Sequence, residues 1–187
     1  MGYYDDKKNV EQYIAMADGY DGKFLIDILV NHLPAQSHVL ELGIGPGKDL
    51  LLLNEHYQVT GSDVSAIFVE RFRKLQPTIY VVQVNAVTMH IDNTFDGIYS
   101  NKVLYHLSKD DLKASFEAQA KVLKQGGIGM HSFWHGDSEE SQHGLRFVYY
   151  TEEILKSMIG DAYTLVDMQR YTEMDTDDSL YILIRKK

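Results

Sequence analysis

Three glycines fall within Glu41-Leu42-Gly43-Ile44-Gly45-Pro46-Gly47, between a short apolar run and a segment of helical period. Glycine at such a junction lets the backbone turn tightly and approach a ligand closely, and a helix start offers amide hydrogens that lack carbonyl partners. Asp63 stands 20 positions after Gly43, at the end of the next apolar run. In a parallel sheet this places a carboxylate at the neighbouring strand end, in reach of both hydroxyls of a ribose. Loop and carboxylate together imply a nucleoside-containing ligand. The spacing departs from the dinucleotide fingerprint G-x-G-x-x-G, because counting from Gly43 and Gly45 puts Lys48 third, where a side chain obstructs helix-to-strand packing.

With no cysteine in the chain, disulfides, thiolate metal sites and thiolate nucleophiles are all excluded. Histidine is then the first choice for a base at neutral pH. His106 reads as a packing residue. His131 falls inside an expected strand, whereas His135 lies just beyond it, nearer the edge where open parallel sheets bind ligands. Trp134, His135 and Tyr149 are the substrate-side candidates, with Phe133, Phe147 and Tyr150 as further aromatic walls. His131, His135, Asp137 and His143 have metal-binding chemistry, but they straddle a strand and a loop without a tight ligand spacing, so no metal site is expected. The acidic run Asp175 to Asp178 reads as a solvated turn.

These residues need a scaffold of alternating strands and helices, and the periodicity supplies one. Helical period from Val10 to Leu33 is interrupted at Gly19-Tyr20-Asp21-Gly22 and ends before Pro34. Strands are expected over 37–42, 57–63, 79–84, 95–101 and 128–134. A helix follows the first, second and fourth of these, the last of them capped at Ser108 and running to Leu123. Residues 135–143 read as a polar loop, 151–159 as a helix, and 164–171 with 179–185 as a terminal antiparallel hairpin.

The pattern E-x-G-x-G-x-G, its following helix and Asp63 resemble motif I of the class I S-adenosylmethionine-dependent methyltransferases. Val84-Asn85-Ala86-Val87, Phe95 to Asn101, Val103-Leu104-Tyr105-His106-Leu107 and Leu123 to Gly127 resemble later segments of that family, the third of these being a helix there and the fourth a turn. Tyr13, Ala17, Tyr20 and Asp21 match a spacing found ahead of motif I in members similar to the quinone-biosynthesis methyltransferases, where the segment covers the cofactor. The resemblance implies an α/β, Rossmann-like, doubly wound and mostly parallel sheet of about seven strands, with a C-terminal antiparallel hairpin. It implies a single methyltransferase domain over 1–187, in which 1–34 form an N-terminal helical cover. It also implies S-adenosylmethionine as cofactor, with S-adenosylhomocysteine as product. The cofactor-binding residues carried over are Tyr13, Tyr20, Glu41, Gly43, Gly45, Gly47, Asp63, Val64, Asn85, Ala86 and Asn101. Asn85 replaces the usual aspartate, so an amide oxygen would receive the adenine amino group.

The implied activity is methyl transfer to a small molecule. A net charge of -9 over 187 residues repels a phosphate backbone, so nucleic acid is not the expected partner. A nucleic-acid base or ribose methyltransferase is the nearest rival, yet an Asn/Asp-Pro-Pro-aromatic segment is missing and no cysteine can attack a pyrimidine ring. A non-catalytic cofactor-binding module and an NAD(P)-dependent oxidoreductase are the other rivals; the glycine spacing speaks against the second. No apolar stretch has membrane-spanning length and the first residues lack a secretory pattern, so a cytoplasmic protein is expected.

Overall fold

The computed structural model describes residues 2–142 and 144–187; His143 lies outside them. Strands β1 (His38–Leu42), β2 (Gln58–Asp63), β3 (Tyr80–Gln83), β4 (Phe95–Asn101) and β5 (Leu123–Trp134) pair in parallel. Two later strands, β8 (Tyr163–Tyr171) and β9 (Ser179–Lys186), form an antiparallel hairpin, and β9 docks antiparallel on β5. The order is β3-β2-β1-β4-β5-β9-β8, with β9 alone reversed. This is the α/β Rossmann-like sheet of seven strands with a C-terminal hairpin that the sequence implied.

Both faces of the sheet are covered, and the alternation along β9 shows how. Leu180, Ile182 and Ile184 join a cluster with Leu112 and Phe116 of α5 (Lys109–Val122) and Leu155 of α6 (Glu152–Met158). Tyr181 and Leu183 join the opposite cluster, with Leu25, Ile26 and Leu29 of α2 (Lys23–Val30). Successive side chains of a strand point to opposite faces, so a doubly covered strand must be apolar throughout. Each such leucine or isoleucine contributes roughly 1.5–3 kcal/mol on burial.

Caps set the helix boundaries. Ser65 accepts from the Phe68 amide at 3.5 Å to open α4 (Ala66–Leu75), and Ser108 accepts from Asp111 at 3.1 Å to open α5. Helix α1 (Lys7–Met16) ends before the glycine break, and α2 begins after it. Helix α3 (Lys48–Asn54) starts at Gly47, whose φ is +92°.

Three expectations need correction. The polar loop expected over 135–143 contains β6 (Glu139–Gln142), which pairs with β7 (Leu145–Val148). Phe147 of β7 packs on Tyr105 and His106, and Arg146 reaches back to Glu139 at 2.6 Å. The acidic composition of the first strand hid this pairing. Second, Val103 to Leu107 form a single 3-10 turn over Leu104–His106 rather than a helix. Lys102 has a φ of +52°, so the chain turns away from helical geometry just before this segment. Third, β5 begins at Leu123 rather than Ile128, because Leu123 pairs with Phe95 before a bulge realigns Ile128 with Gly97.

Candidate functional site

The carboxyl ends of β1, β2 and β4 border one crevice with two lobes. The larger, of about 450 Å3, runs past Asp63, Val64, Asn85 and Ala86 and is walled by Tyr4 and Phe68. The smaller, of about 110 Å3, runs past Glu41, Asp49, Asn101, Tyr20 and Glu173. Four residues line both lobes and mark their junction: Tyr13, Gly43, Gly45 and Lys102.

Gly43, Gly45 and Gly47 have φ values of +72°, +47° and +92°, so left-handed backbone folds the loop back on β2. A Cβ on Gly43 would lie 2.5 Å from Val103, and one on Gly47 would lie 2.2 Å from Phe72. The loop amides are spent within the protein. Gly43 and Ile44 both donate to the Ser62 carbonyl, at 2.7 and 2.9 Å, and Gly47 donates to Ile44 at 2.7 Å. Gly45 donates to Asp63 Oδ2 at 3.0 Å. The amides of Gly43, Ile44, Gly45 and Gly47 are thus engaged within the protein, and these glycines act by shaping the crevice; the helix-start amides, Lys48 to Leu50, find no carbonyl partner among the described residues.

Asp63 is 6 % exposed and receives a second amide, from Ser65, on Oδ1 at 2.9 Å. Burial nevertheless pushes its carboxyl up to about 6, outweighing the stabilising hydrogen bonds. Each oxygen retains acceptor capacity toward the larger lobe. Glu41, on β1, is 3 % exposed, and its Oε2 has no partner. Burial, then the neighbouring Asp49 and Asp63 charges, hold this carboxyl well above the carboxylate range.

Asp49, in the first turn of α3, is the clamp of the smaller lobe. Its Oδ1 accepts from the Gly22 amide at 2.7 Å, and its Oδ2 accepts from the Tyr99 hydroxyl at 2.8 Å and Asn101 Nδ2 at 3.1 Å. Gly22 is required here, since a Cβ would meet the Tyr99 hydroxyl at 2.0 Å. The break between α1 and α2 is thereby pinned to the glycine loop's helix and to β4. This brings Tyr13 and Tyr20 to the crevice.

Of the eleven cofactor-binding residues carried over, ten line the crevice: Tyr13, Tyr20, Glu41, Gly43, Gly45, Asp63, Val64, Asn85, Ala86 and Asn101; His106, read as a packing residue, also lines the larger lobe. Gly47 stands behind it, as the hinge into α3. Trp134, His135 and Tyr149 line neither lobe. The Trp134 ring lies under Lys102 Nζ, 3.2 Å from its centroid. His135 Nε2 faces Glu152 at 3.6 Å, and Arg170 grips that carboxylate at 2.6 Å. Tyr149 packs over Gly136. His131 is buried in the core with Nδ1 on Ser100 Oγ at 2.8 Å, and burial pushes it down to about 3. Among the described residues no three His, Asp or Glu side chains converge on a metal position.

Sequence reasoning missed Tyr4, Asp49, Lys102 and Glu173. Asp49 had a local signal, an acid in the first turn after the glycine loop. Lys102 and Glu173 had none, because 70 residues of sequence separate the two ends of their 2.8 Å ion pair.

Residues 39–127 match a family model described as a methyltransferase domain. No curated protein matches the chain in a sequence search. Among solved structures, an S-adenosylmethionine-dependent methyltransferase from Clostridium acetobutylicum superposes with a TM-score of 0.76 at 16% identity, covering 94% of this chain and 98% of that one. A 1,6-didemethyltoxoflavin-N1-methyltransferase from Burkholderia thailandensis, with its acceptor and S-adenosylhomocysteine bound, gives 0.77 at 21%, covering 94% and 82%. The N-methyltransferase NodS from Bradyrhizobium japonicum, holding S-adenosylhomocysteine, gives 0.72 at 18%, covering 96% and 97%. At these identities the structures speak for the fold alone, and the family match speaks for residues 39–127, which are similar to a methyltransferase domain.

Proposed function

We propose that this methyltransferase acts on a small molecule, with S-adenosylmethionine held along the two lobes. The observation that carries the reading is the unpartnered Oε2 of Glu41 in a lobe shared with Asp49 and Glu173. A buried carboxyl without a partner is costly, and a cationic amino group offsets that cost. The residues present fit the cofactor in three ways. Glu41 and its acidic neighbours suit the ammonium end, Asp63 keeps lone pairs for a ribose diol, and Tyr4, Phe68 and Ala86 give the larger lobe an apolar wall for a purine. Asn85 lines that lobe, and its Oδ1, which accepts from the Val87 amide at 2.7 Å, keeps a second lone pair for the adenine amino group. Tyr4 is also tied to the site, since Ser65 Oγ donates to its carbonyl at 2.7 Å. Residues 1–34 then act as the cover of the cofactor in a single domain.

When bound, S-adenosylmethionine supplies a methyl group on sulfur, already a good leaving group. The protein's tasks are to orient the acceptor behind that methyl and to exclude water. A small-molecule acceptor is supported by the acidic charge balance, which opposes nucleic acid. The structurally similar Burkholderia enzyme, which has 1,6-didemethyltoxoflavin bound, is a parallel. No helix among the described residues is long and apolar enough to cross a membrane, and we place the protein in the cytoplasm.

Calorimetry tests the reading: S-adenosylmethionine and S-adenosylhomocysteine bind, and NAD(P) does not. Preferential binding of a nicotinamide cofactor overturns it. A panel of small acceptors against bulk RNA then separates the acceptor classes by methyl incorporation.

A further inference from the structure

Lys102 occupies the junction of the two lobes. A ligand with its nucleoside beside Asp63 and its amino acid beside Glu41 must pass this junction, and the linking sulfur lies between those two ends. Of the four described residues there, two are glycines and one is Tyr13, so Lys102 is the one junction cation among the described residues. The lysine side chain is only 10% exposed and is held in place by several elements. Its Nζ lies 2.8 Å from Glu173 Oε2 and donates to Ser179 Oγ at 2.7 Å. The Trp134 ring lies 3.2 Å away and the Tyr171 ring 5.5 Å away. Its own amide donates to Ser132 Oγ at 2.9 Å, which fixes the left-handed turn that aims it inward.

We infer that binding of the sulfonium expels the proton from Lys102, leaving a neutral amine that takes the proton of a protic nitrogen or oxygen acceptor. The inference rests on the cofactor placement proposed above. Two positive charges cannot share a partly desolvated junction without cost, whereas the neutral thioether product imposes no such cost. The lysine is already poised. Burial lowers it to about 8, and the charges of Glu173 and then Asp178 only partly oppose that effect. Trp134, Tyr171, Ser132 and Ser179 complete its surroundings and bring no further charge at neutral pH. In the transfer itself the acceptor lone pair forms the bond to the methyl carbon. The carbon–sulfur pair returns to sulfur, and the acceptor's proton passes to Nζ, regenerating the ammonium. The resulting cation faces a thioether that no longer repels it.

Calorimetry in buffers of different ionisation heat provides a test that requires no acceptor. Near pH 7.5, S-adenosylmethionine should release a substantial fraction of a proton from the wild-type protein, and S-adenosylhomocysteine markedly less. Lys102→Met should abolish the difference. Lys102→Arg keeps the charge, and should weaken S-adenosylmethionine at least tenfold relative to S-adenosylhomocysteine. Glu173→Gln, which removes an opposing charge, should shift the release to lower pH, and thermal melting checks that each variant is folded. Equal proton release for both ligands in the wild type, or an unchanged affinity ratio in folded Lys102→Met and Lys102→Arg, overturns the inference while leaving the cofactor reading intact. Failure of both ligands to bind the wild type overturns the cofactor reading itself, and this inference with it.

Discussion

The two sides of the crevice are built by different means. On the side of β1, β2 and α3, backbone geometry dominates: three left-handed glycines, a loop whose amides are internally paired, and one aspartate that binds both the loop and α4's entry. On the side of β4, β5 and the β8–β9 turn, side chains dominate, with Lys102, Glu173, Trp134 and Ser179 converging from four separate segments. Backbone shape tolerates almost no substitution, whereas a side-chain cluster can be exchanged piece by piece. The first side is fixed by local conformation; the second is assembled only when distant segments meet.

Perturbations of graded size probe this contrast. The largest effect is expected at Gly47: alanine there combines left-handed backbone with overlap on Phe72, and should cost about 2–5 kcal/mol of stability in urea titration. A well-folded Gly47→Ala protein of unchanged midpoint would refute the claim that shape governs this side. On the opposite side, His131 stays neutral in the fold. Its folded value, about 3, lies below its unfolded value of 6.5, so its contribution is complete above the unfolded value and is lost as pH falls toward the folded one. At about pH 4.5 the loss should reach roughly 2–3 kcal/mol, and His131→Met should remove that part of the acid sensitivity. Denaturation of both proteins at about pH 7.5 and about pH 4.5 measures it, and an equal acid loss in the two would be inconsistent with a buried neutral imidazole.

Asp63→Ala should weaken S-adenosylhomocysteine by about 1–3 kcal/mol, through loss of charge-assisted hydrogen bonds. Unchanged affinity in a folded variant would remove Asp63 from its role. The smallest effect is the pH dependence of the same contact. The Asp63 carboxyl, pushed up to about 6, carries its charge only above that value. S-adenosylhomocysteine should therefore bind several-fold more weakly at about pH 5 than at about pH 7. Asp63→Asn should flatten the difference, and a dependence retained in that variant would assign it elsewhere.

The same contrast explains what could be read from the chain. Gly43, Gly45, Gly47 and Asp63 act through local conformation and fixed spacing, and both are written in consecutive residues. Strand β9 was legible because a strand covered on both faces must be continuously apolar. Lys102 and Glu173 meet only after β4 and the β8–β9 turn have been brought together, and nothing near either residue announces the other. The β6–β7 hairpin was missed for a related reason: Glu139 to Gln142 are all exposed, so no alternation of burial marks them as a strand. His135 was favoured as a base from its place after β5, but Glu152 and Arg170 draw that region toward α6 and β8. Composition likewise cannot reveal that Ser62, Asp63 and Ile44 consume the loop's own amide hydrogens, leaving only those of the helix start free.

Strand β9 runs against its neighbours, so the chain enters it, rather than leaves it, at the edge where β4 ends. The turn over 172–178 thus presents Glu173 to the crevice, braced by Asp178, whose carboxylate accepts from the Glu173, Met174 and Asp175 amides at 3.0 Å each. Such a turn carries none of the sheet's own ladder, and its outer residues face solvent. Its exposed residues Met174, Asp175 and Thr176 can therefore be exchanged while Glu173 stays paired with Lys102 and the sheet beneath is left undisturbed.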